Sequence, residues 1–227
     1  MAAFFGGEPD IDAMREEKDY RGLIAALRHE QLDIQWHASS ALASLGDEAM
    51  DHLLSALNAR NKDVRLGIIE ALGEIRNPRA VGPLIGLLQD KDNEVRWEAA
   101  LALGEMADPR ALGPLEDALR DPDRYVRYGS ALALEKMGWS PDTPERYAFL
   151  LTGKQEWDAL AEMGRDAVSS LDIAAKDNDS SVRLMAVRTL GRIGDEKAIP
   201  LLYRALRDPD EKVRWEAVMA SQKCGIS

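Results

Sequence analysis

The sequence predicts an all-α chain, a single array of about six to seven stacked helical hairpins, because three observations match a repeat protein. The dipeptide Val-Arg recurs at Val64-Arg65, Val95-Arg96, Val126-Arg127, Val182-Arg183 and Val213-Arg214, in steps of 31, 31, 56 and 31 residues, and Ile34-Gln35 extends the series backwards by 30. The surroundings recur in register. Three residues before each Val stand Asp92, Asp123, Asp179 or Asp210, with Asn61 and Gln31 in the earlier copies. Seven and eight after it stand Ala41-Leu42, Ala71-Leu72, Ala102-Leu103, Ala133-Leu134 or Thr189-Leu190. Finally, no segment keeps a period-two alternation, so no sheet is expected.

The elements follow in order within one expected domain. Residues 1–32 read as an N-terminal cap and half-repeat, with an amphipathic stretch over 10–29 to cover the first unit. Regular repeats fill 33–138. In each, the first helix starts at the recurring Val; Val95, Ala99, Ala102, Leu103 and Met106 share one face at a 3.6-residue period. Asp92 stands where an N-cap accepts from free backbone N–H groups. Gly104 or Gly191, then Asp108-Pro109 or Gly194-Asp195, mark the stop. The second helix carries Pro83, Pro114 or Pro200 near its start, where a missing N–H costs little.

The long step of 56 residues hides an irregular unit over 139–166. Trp139-Ser140-Pro141 interrupts the pattern. A short helix is expected over Pro144–Leu151, broken at Gly153, and another over Gln155–Met163. The segment is either a domain hinge or a divergent repeat, and its helically spaced Trp157, Leu160, Ala161 and Met163 favour the repeat. Regular repeats return over 167–227.

Composition narrows the function classes. The chain has 227 residues, 45% hydrophobic and 30% charged, which argues against disorder. Its net charge of −11 argues against a nucleic-acid partner and for basic or apolar ones. A single cysteine, Cys224, allows no intrachain disulfide and no Cys-rich metal site, and suits the cytoplasm. The N-terminus has no signal-peptide pattern, and no run of about 20 apolar residues predicts a membrane span.

At Asp92–Ala111 the sequence reads Asp-Asn-Glu-Val-Arg-Trp-Glu-Ala-Ala-Leu-Ala-Leu-Gly-Glu-Met-Ala-Asp-Pro-Arg-Ala. It resembles the HEAT-like repeats named after phycobilisome lyases, and the resemblance runs over roughly residues 20–224. It implies a right-handed α-α superhelix with the Val-Arg helices on its inner, concave side. It also implies that Arg65, Arg96, Arg127, Arg183 and Arg214 form a ladder with Asp90, Asp121, Asp177 and Asp208. The consensus residues build the repeat and assign no reaction.

Function is therefore sought at the positions the repeat leaves free. Two residues after each Val, where a solvated helix face carries polar side chains, stand Trp36, Leu66, Trp97, Tyr128, Leu184 and Trp215. Six after it, Leu101, Leu132 and Met219 are apolar beside Ser40, Glu70 and Arg188. Glu70, Glu74, Glu98, Glu105 and Glu216 lie alongside. One reading makes this an apolar groove with an acidic rim that holds a basic and apolar protein segment. The other folds the side chains onto neighbouring repeats as core, with Trp36 and Trp215 the more exposed. Either way the expected function is non-enzymatic protein–protein interaction. The alternative that the family name implies is a tetrapyrrole-lyase-like or chaperone role on a pigment-bearing partner.

No catalytic set is legible, and no cofactor or metal is expected. His29-Glu30 is similar to one His-Glu pair of the di-iron HEAT-repeat enzyme deoxyhypusine hydroxylase, a family that uses several; His37 and His52 add none. Gly6-Gly7 is too short to cradle phosphate. The basic stripe of HEAT-like DNA glycosylases is missing. Self-association through the chain ends is a further expectation, with Phe4-Phe5 at one end and Val218 and Cys224 at the other.

Overall fold

Hydrophobic periodicity sets the architecture. The computed structural model describes residues 8–223, and every regular element among them is helical. Phe4, Phe5, Gly6, Gly7 and Cys224 lie outside the described residues. No helix among the described residues is long and apolar enough to cross a membrane. The chain divides into two compact units, Met1–Ala111 and Leu112–Ser227. The division falls among regular repeats, and the segment 139–166 lies wholly in the second unit.

The first unit opens with α1 (Ile11–Glu16) and α2 (Tyr20–Ala26). Asp10 and Asp19 cap them, accepting from the backbone N–H of Ala13 and Gly22 at 3.0 and 2.9 Å. Then come α3 (Leu32–Ser44), α4 (Met50–Ala56), α5 (Lys62–Ile75), α6 (Val81–Leu87) and α7 (Asn93–Met106). The long helices α3, α5 and α7 are the ones that contain Ile34, Val64 and Val95. Their inward residues, including Leu42, Ile68, Leu72, Val95, Ala99 and Leu103, are buried. Each such Leu or Ile contributes about 1.5–3 kcal/mol on burial. The short helices α4 and α6 are entered through 3-10 turns, Gly46–Ala49 and Pro78–Ala80, whose last alanines, Ala49 and Ala80, are fully buried.

The second unit holds α8 (Leu112–Ala118), α9 (Arg124–Lys136), α10 (Pro144–Lys154), α11 (Trp157–Met163), α12 (Val168–Ala174), α13 (Ser180–Ile193), α14 (Ile199–Ala205) and α15 (Glu211–Lys223). Its core joins Leu160, Leu171, Val182, Val187, Leu190, Leu202 and Val213.

Three local expectations are corrected. Gly153 does not break a helix, because α10 runs through it to Lys154 and ends at Gln155 in the left-handed region (φ 59°). A Cβ on Gly153 would stand 2.8 Å from the carbonyl oxygen of Arg127, so glycine there permits α10 to lie against α9. Gly104 and Gly191 are likewise interior to α7 and α13; the stops are the left-handed residues Ala107 and Gly194. A Cβ on Gly191 would meet the Ala220 Cβ at 2.5 Å, which explains glycine as a helix-packing residue. Asp92 occupies the N-cap position of α7 but caps nothing. Its carboxylate accepts from Arg65 instead. Asn61, Asp123, Asp179 and Asp210 do cap their helices.

The irregular segment is a wedge. α9 is followed by a loop where a short second helix would stand. α10 begins beside α8, where Arg146 pairs with Glu116 and the Arg120 guanidinium lies 4.1 Å from the Phe149 ring centre. It finishes on α9, where Lys154 pairs with Glu135 at 2.8 Å. α11 is tied to the far end of α13 through Asp158 and Arg192. At the opposite end, Arg127 and Arg124 of α9 reach Asp177 and Asp179, just before α13, at 2.6 and 2.7 Å. So α9 and the turn that opens α13 are clamped together where both helices start.

Candidate binding face

The recurring arginines are structural. Each sends Nη1 back to two backbone carbonyls of the turn before its own helix: Arg65 to Ala59 at 2.8 Å, Arg96 to Asp90 at 2.9 Å, Arg127 to Asp121 at 2.8 Å, Arg183 to Asp177 at 2.8 Å and Arg214 to Asp208 at 2.7 Å. The rest of the guanidinium takes the carboxylate of a following turn: Arg65 with Asp90 at 3.0 Å, Arg127 with Asp177 at 2.6 Å, Arg183 with Asp208 at 2.8 Å. Those aspartates also accept the backbone N–H two residues on, in Asp92, Asp179 and Asp210. Burial pushes the Asp208 carboxyl up, but the Arg183 guanidinium and the Asp210 backbone N–H together outweigh it and hold the group below its ordinary value. Arg65, Arg127 and Arg183 are thus spent on joining turns.

The free face lies on the side of each long helix away from its buried Val. A residue two after the buried Val is turned about 200° from it. In the first unit this puts Trp36, Leu66 and Trp97 on one side of α3, α5 and α7. Trp36 is 57% exposed, and Leu66 and Trp97 are half-buried. Together with Leu32, 76% exposed, they line a cleft of about 410 Å³ that also meets Asp63, Glu70, Glu94 and Glu98. No lysine or arginine lines it. A second cleft of about 310 Å³ shares Glu70 and Glu98 and continues to Leu101, Glu74 and Glu105. The two readings of the aromatic row divide by residue: Trp36 stands in water, whereas Trp97 is partly core.

The carboxylates of this face differ in their partners. Glu94 pairs with Lys62 at 2.6 Å and Glu105 with Arg76 at 2.7 Å. Glu70 and Glu98 have no basic partner among the described residues. Burial pushes both above the ordinary carboxylate value, and the Glu70 charge pushes Glu98 further. A bond with Ser39 and the nearby Glu74 act on Glu70 in opposite directions.

In the second unit Tyr128 and Leu132 are exposed on α9, at 42% and 36%. On α15 Trp215, Val218 and Met219 are exposed, while Leu184 of α13 is half-buried. Leu184 and Trp215 line a cleft of about 470 Å³ with Arg188, Glu211, Lys212 and Glu216. Glu216 is buried and bonded to Arg188 at 2.9 Å, so its charge is compensated.

Two exposed residues of the face escaped the sequence reading: Leu32 and Tyr125, the latter 53% exposed with Arg124 stacked on its ring. Each breaks a polar column. Lys62, Asn93, Arg124, Ser180 and Glu211 match Leu32; Asp33, Asp63, Glu94, Ser181 and Lys212 match Tyr125. Comparing the columns just before the recurring Val would have found them.

The histidines are locally engaged. His29 Nδ1 accepts from the Gln31 N–H at 3.2 Å, His52 stacks on Tyr20 at 4.3 Å and His37 lies tilted beside Trp36. No group of three or more His, Cys, Asp or Glu among the described residues is placed to hold a metal ion.

The family described as HEAT repeats matches residues 50–135 and 154–225. The gap coincides with α10 and the loop before it. No curated protein matches the chain. Among solved structures, human deoxyhypusine hydroxylase in complex with glycerol is 21% identical, covering 96% of this chain and 100% of its own, with a TM-score of 0.46. The complex of CpcE and CpcF of phycocyanin lyase from Nostoc sp. is 21% identical, covering 99% and 80%, with a TM-score of 0.38. A designed armadillo repeat protein in complex with the peptide (KR)4 is 21% identical, covering 89% and 98%, with a TM-score of 0.37.

Proposed function

Because this chain belongs to the HEAT-repeat family, we propose that it is a non-enzymatic interaction scaffold whose α3–α5–α7 face holds a segment of a protein partner. One observation carries the reading. Successive helices of a solvated array carry polar residues on their outer faces, yet here Leu32 and Trp36 stand in water beside half-buried Leu66 and Trp97 around one open cleft. An aromatic anchor beside a cleft that a partner would desolvate is the composition of a binding hot spot. Tyr128, Leu132, Leu184, Trp215 and Met219 give the second unit a similar apolar face, and we assign them the same role. Single-domain organisation belongs to the same proposal.

The test is affinity capture from the source cells with the wild-type chain and with Trp36→Ala. A partner lost by Trp36→Ala, with the thermal midpoint unchanged, supports the face. The same capture by both proteins overturns it.

A further inference from the structure

Glu70 and Glu98 stand on neighbouring helices, α5 and α7, and both line both clefts of the first unit, so any segment lying along this face passes them. Their surroundings are unbalanced. The nearby cations are committed elsewhere, Lys62 to Glu94 and Arg76 to Glu105. Half-buried carboxylates without a cation are unfavourable, and two that sense each other are more so. The apolar walls on one side are Leu66 and Trp97, suited to the stem of a long side chain.

Resting on the reading of this face as a binding surface, we propose that the bound segment presents one cationic side chain, arginine or lysine, to the Glu70–Glu98 pair, with apolar neighbours seated on Trp36 and Leu66. Charge complementarity commits the occupant. An acidic segment would bring like charge onto two uncompensated carboxylates, and a purely apolar one would bury them unpaired. No group of three or more His, Cys, Asp or Glu among the described residues is placed there to hold a metal ion in place of a side chain. The indole of Trp97 adds a face on which a guanidinium stacks favourably.

The probe is a random dodecamer peptide library displayed on phage, selected on the full chain. The best enriched peptide is then made with arginine, with neutral citrulline at the same position, and titrated by fluorescence anisotropy. The expected result is enrichment of arginine or lysine flanked by apolar residues. Citrulline should weaken binding at least about tenfold on the wild-type chain. That difference should vanish on Glu70→Gln/Glu98→Gln and persist on Asp12→Asn, a control for the overall negative charge. Equal binding of both peptides, with affinity still lost on Trp36→Ala, overturns the cation inference and leaves the face standing. No enrichment, or binding indifferent to Trp36→Ala, overturns both.

Discussion

Arg127 bonds Asp177 at 2.6 Å across 50 residues of sequence, where the equivalent pairs Arg65–Asp90 and Arg183–Asp208 each span 25. The joint between turns is therefore the same joint, closed over twice the length of chain. Both partners are almost wholly buried, with side chains 1% and 2% exposed. Arg127→Met should leave Asp177 an unpaired buried charge and destabilise the protein by about 3–5 kcal/mol. Urea unfolding of the single variant measures this. A loss under about 1 kcal/mol would mean that the pair does not hold the joint.

Gly153 and Gly86 should respond to alanine in opposite directions. A Cβ on Gly153 meets the Arg127 carbonyl, whereas one on Gly86 in α6 has open space. Gly153→Ala should cost about 1–3 kcal/mol as α10 is pushed off α9. Gly86→Ala should stabilise by about 0.5–1 kcal/mol through helix propensity. Thermal midpoints of the two variants compare the effects directly.

Glu98 gives a pH-dependent prediction. Its folded-state value is raised above the ordinary 4.5, first by burial and then by Glu70. The folded protein therefore binds this proton more tightly than the unfolded chain does. The contribution of Glu98 is neutral well below pH 4.5 and becomes unfavourable as pH rises through the raised value. Glu98→Gln should raise the thermal midpoint at pH 7 and leave it little changed at pH 3.5. A variant equally stabilised at both values would contradict the shift.

Asp108 should behave in the opposite sense. A side-chain bond from Arg110, and then the Arg110 backbone N–H, hold its carboxyl down at about 2. Carboxyl chemical shifts followed by NMR should show it ionised long after ordinary aspartates have protonated. In Arg110→Ala it should titrate nearer its ordinary 3.8.

The tryptophans should separate stability from binding. Trp36→Ala removes an exposed ring and should change stability by less than about 0.5 kcal/mol, while weakening the partner by more than about 2 kcal/mol. Trp97→Ala removes a half-buried ring and should damage both. Acrylamide should quench the fluorescence of Trp36 and Trp215 readily and that of Trp97 less, as single Trp→Phe variants would show.

Much of this is legible in the sequence. The recurring Val, the polar cap column and the column of Trp36, Leu66 and Trp97 define the helices and the free face, because a repeat averages out local noise. Individual side chains were less legible. Asp92 looks like its capping counterparts, yet Arg65 competes for it and wins. Glu216 looks like an uncompensated carboxylate, yet Arg188 of the neighbouring helix pairs with it. Gly153 looks like a breaker because sequence shows its flexibility and not the carbonyl of Arg127 beside it. These outcomes depend on what the neighbouring helix presents, which the single strand of letters does not state.

The wedge of α10 and α11 has a consequence for how such a chain changes length. Doubling a loop raises its closure entropy by only about 0.6 kcal/mol, far less than a buried joint such as Arg127–Asp177 contributes to holding the turns. The excess of the 56-residue step over the 31-residue one equals the extra span of that joint. A repeat protein can thus admit new helices between two old ones while the seam beside them stays in register. The place where α10 leaves and α12 returns is a natural grafting point, where further segments can be added or removed without redrawing the rest.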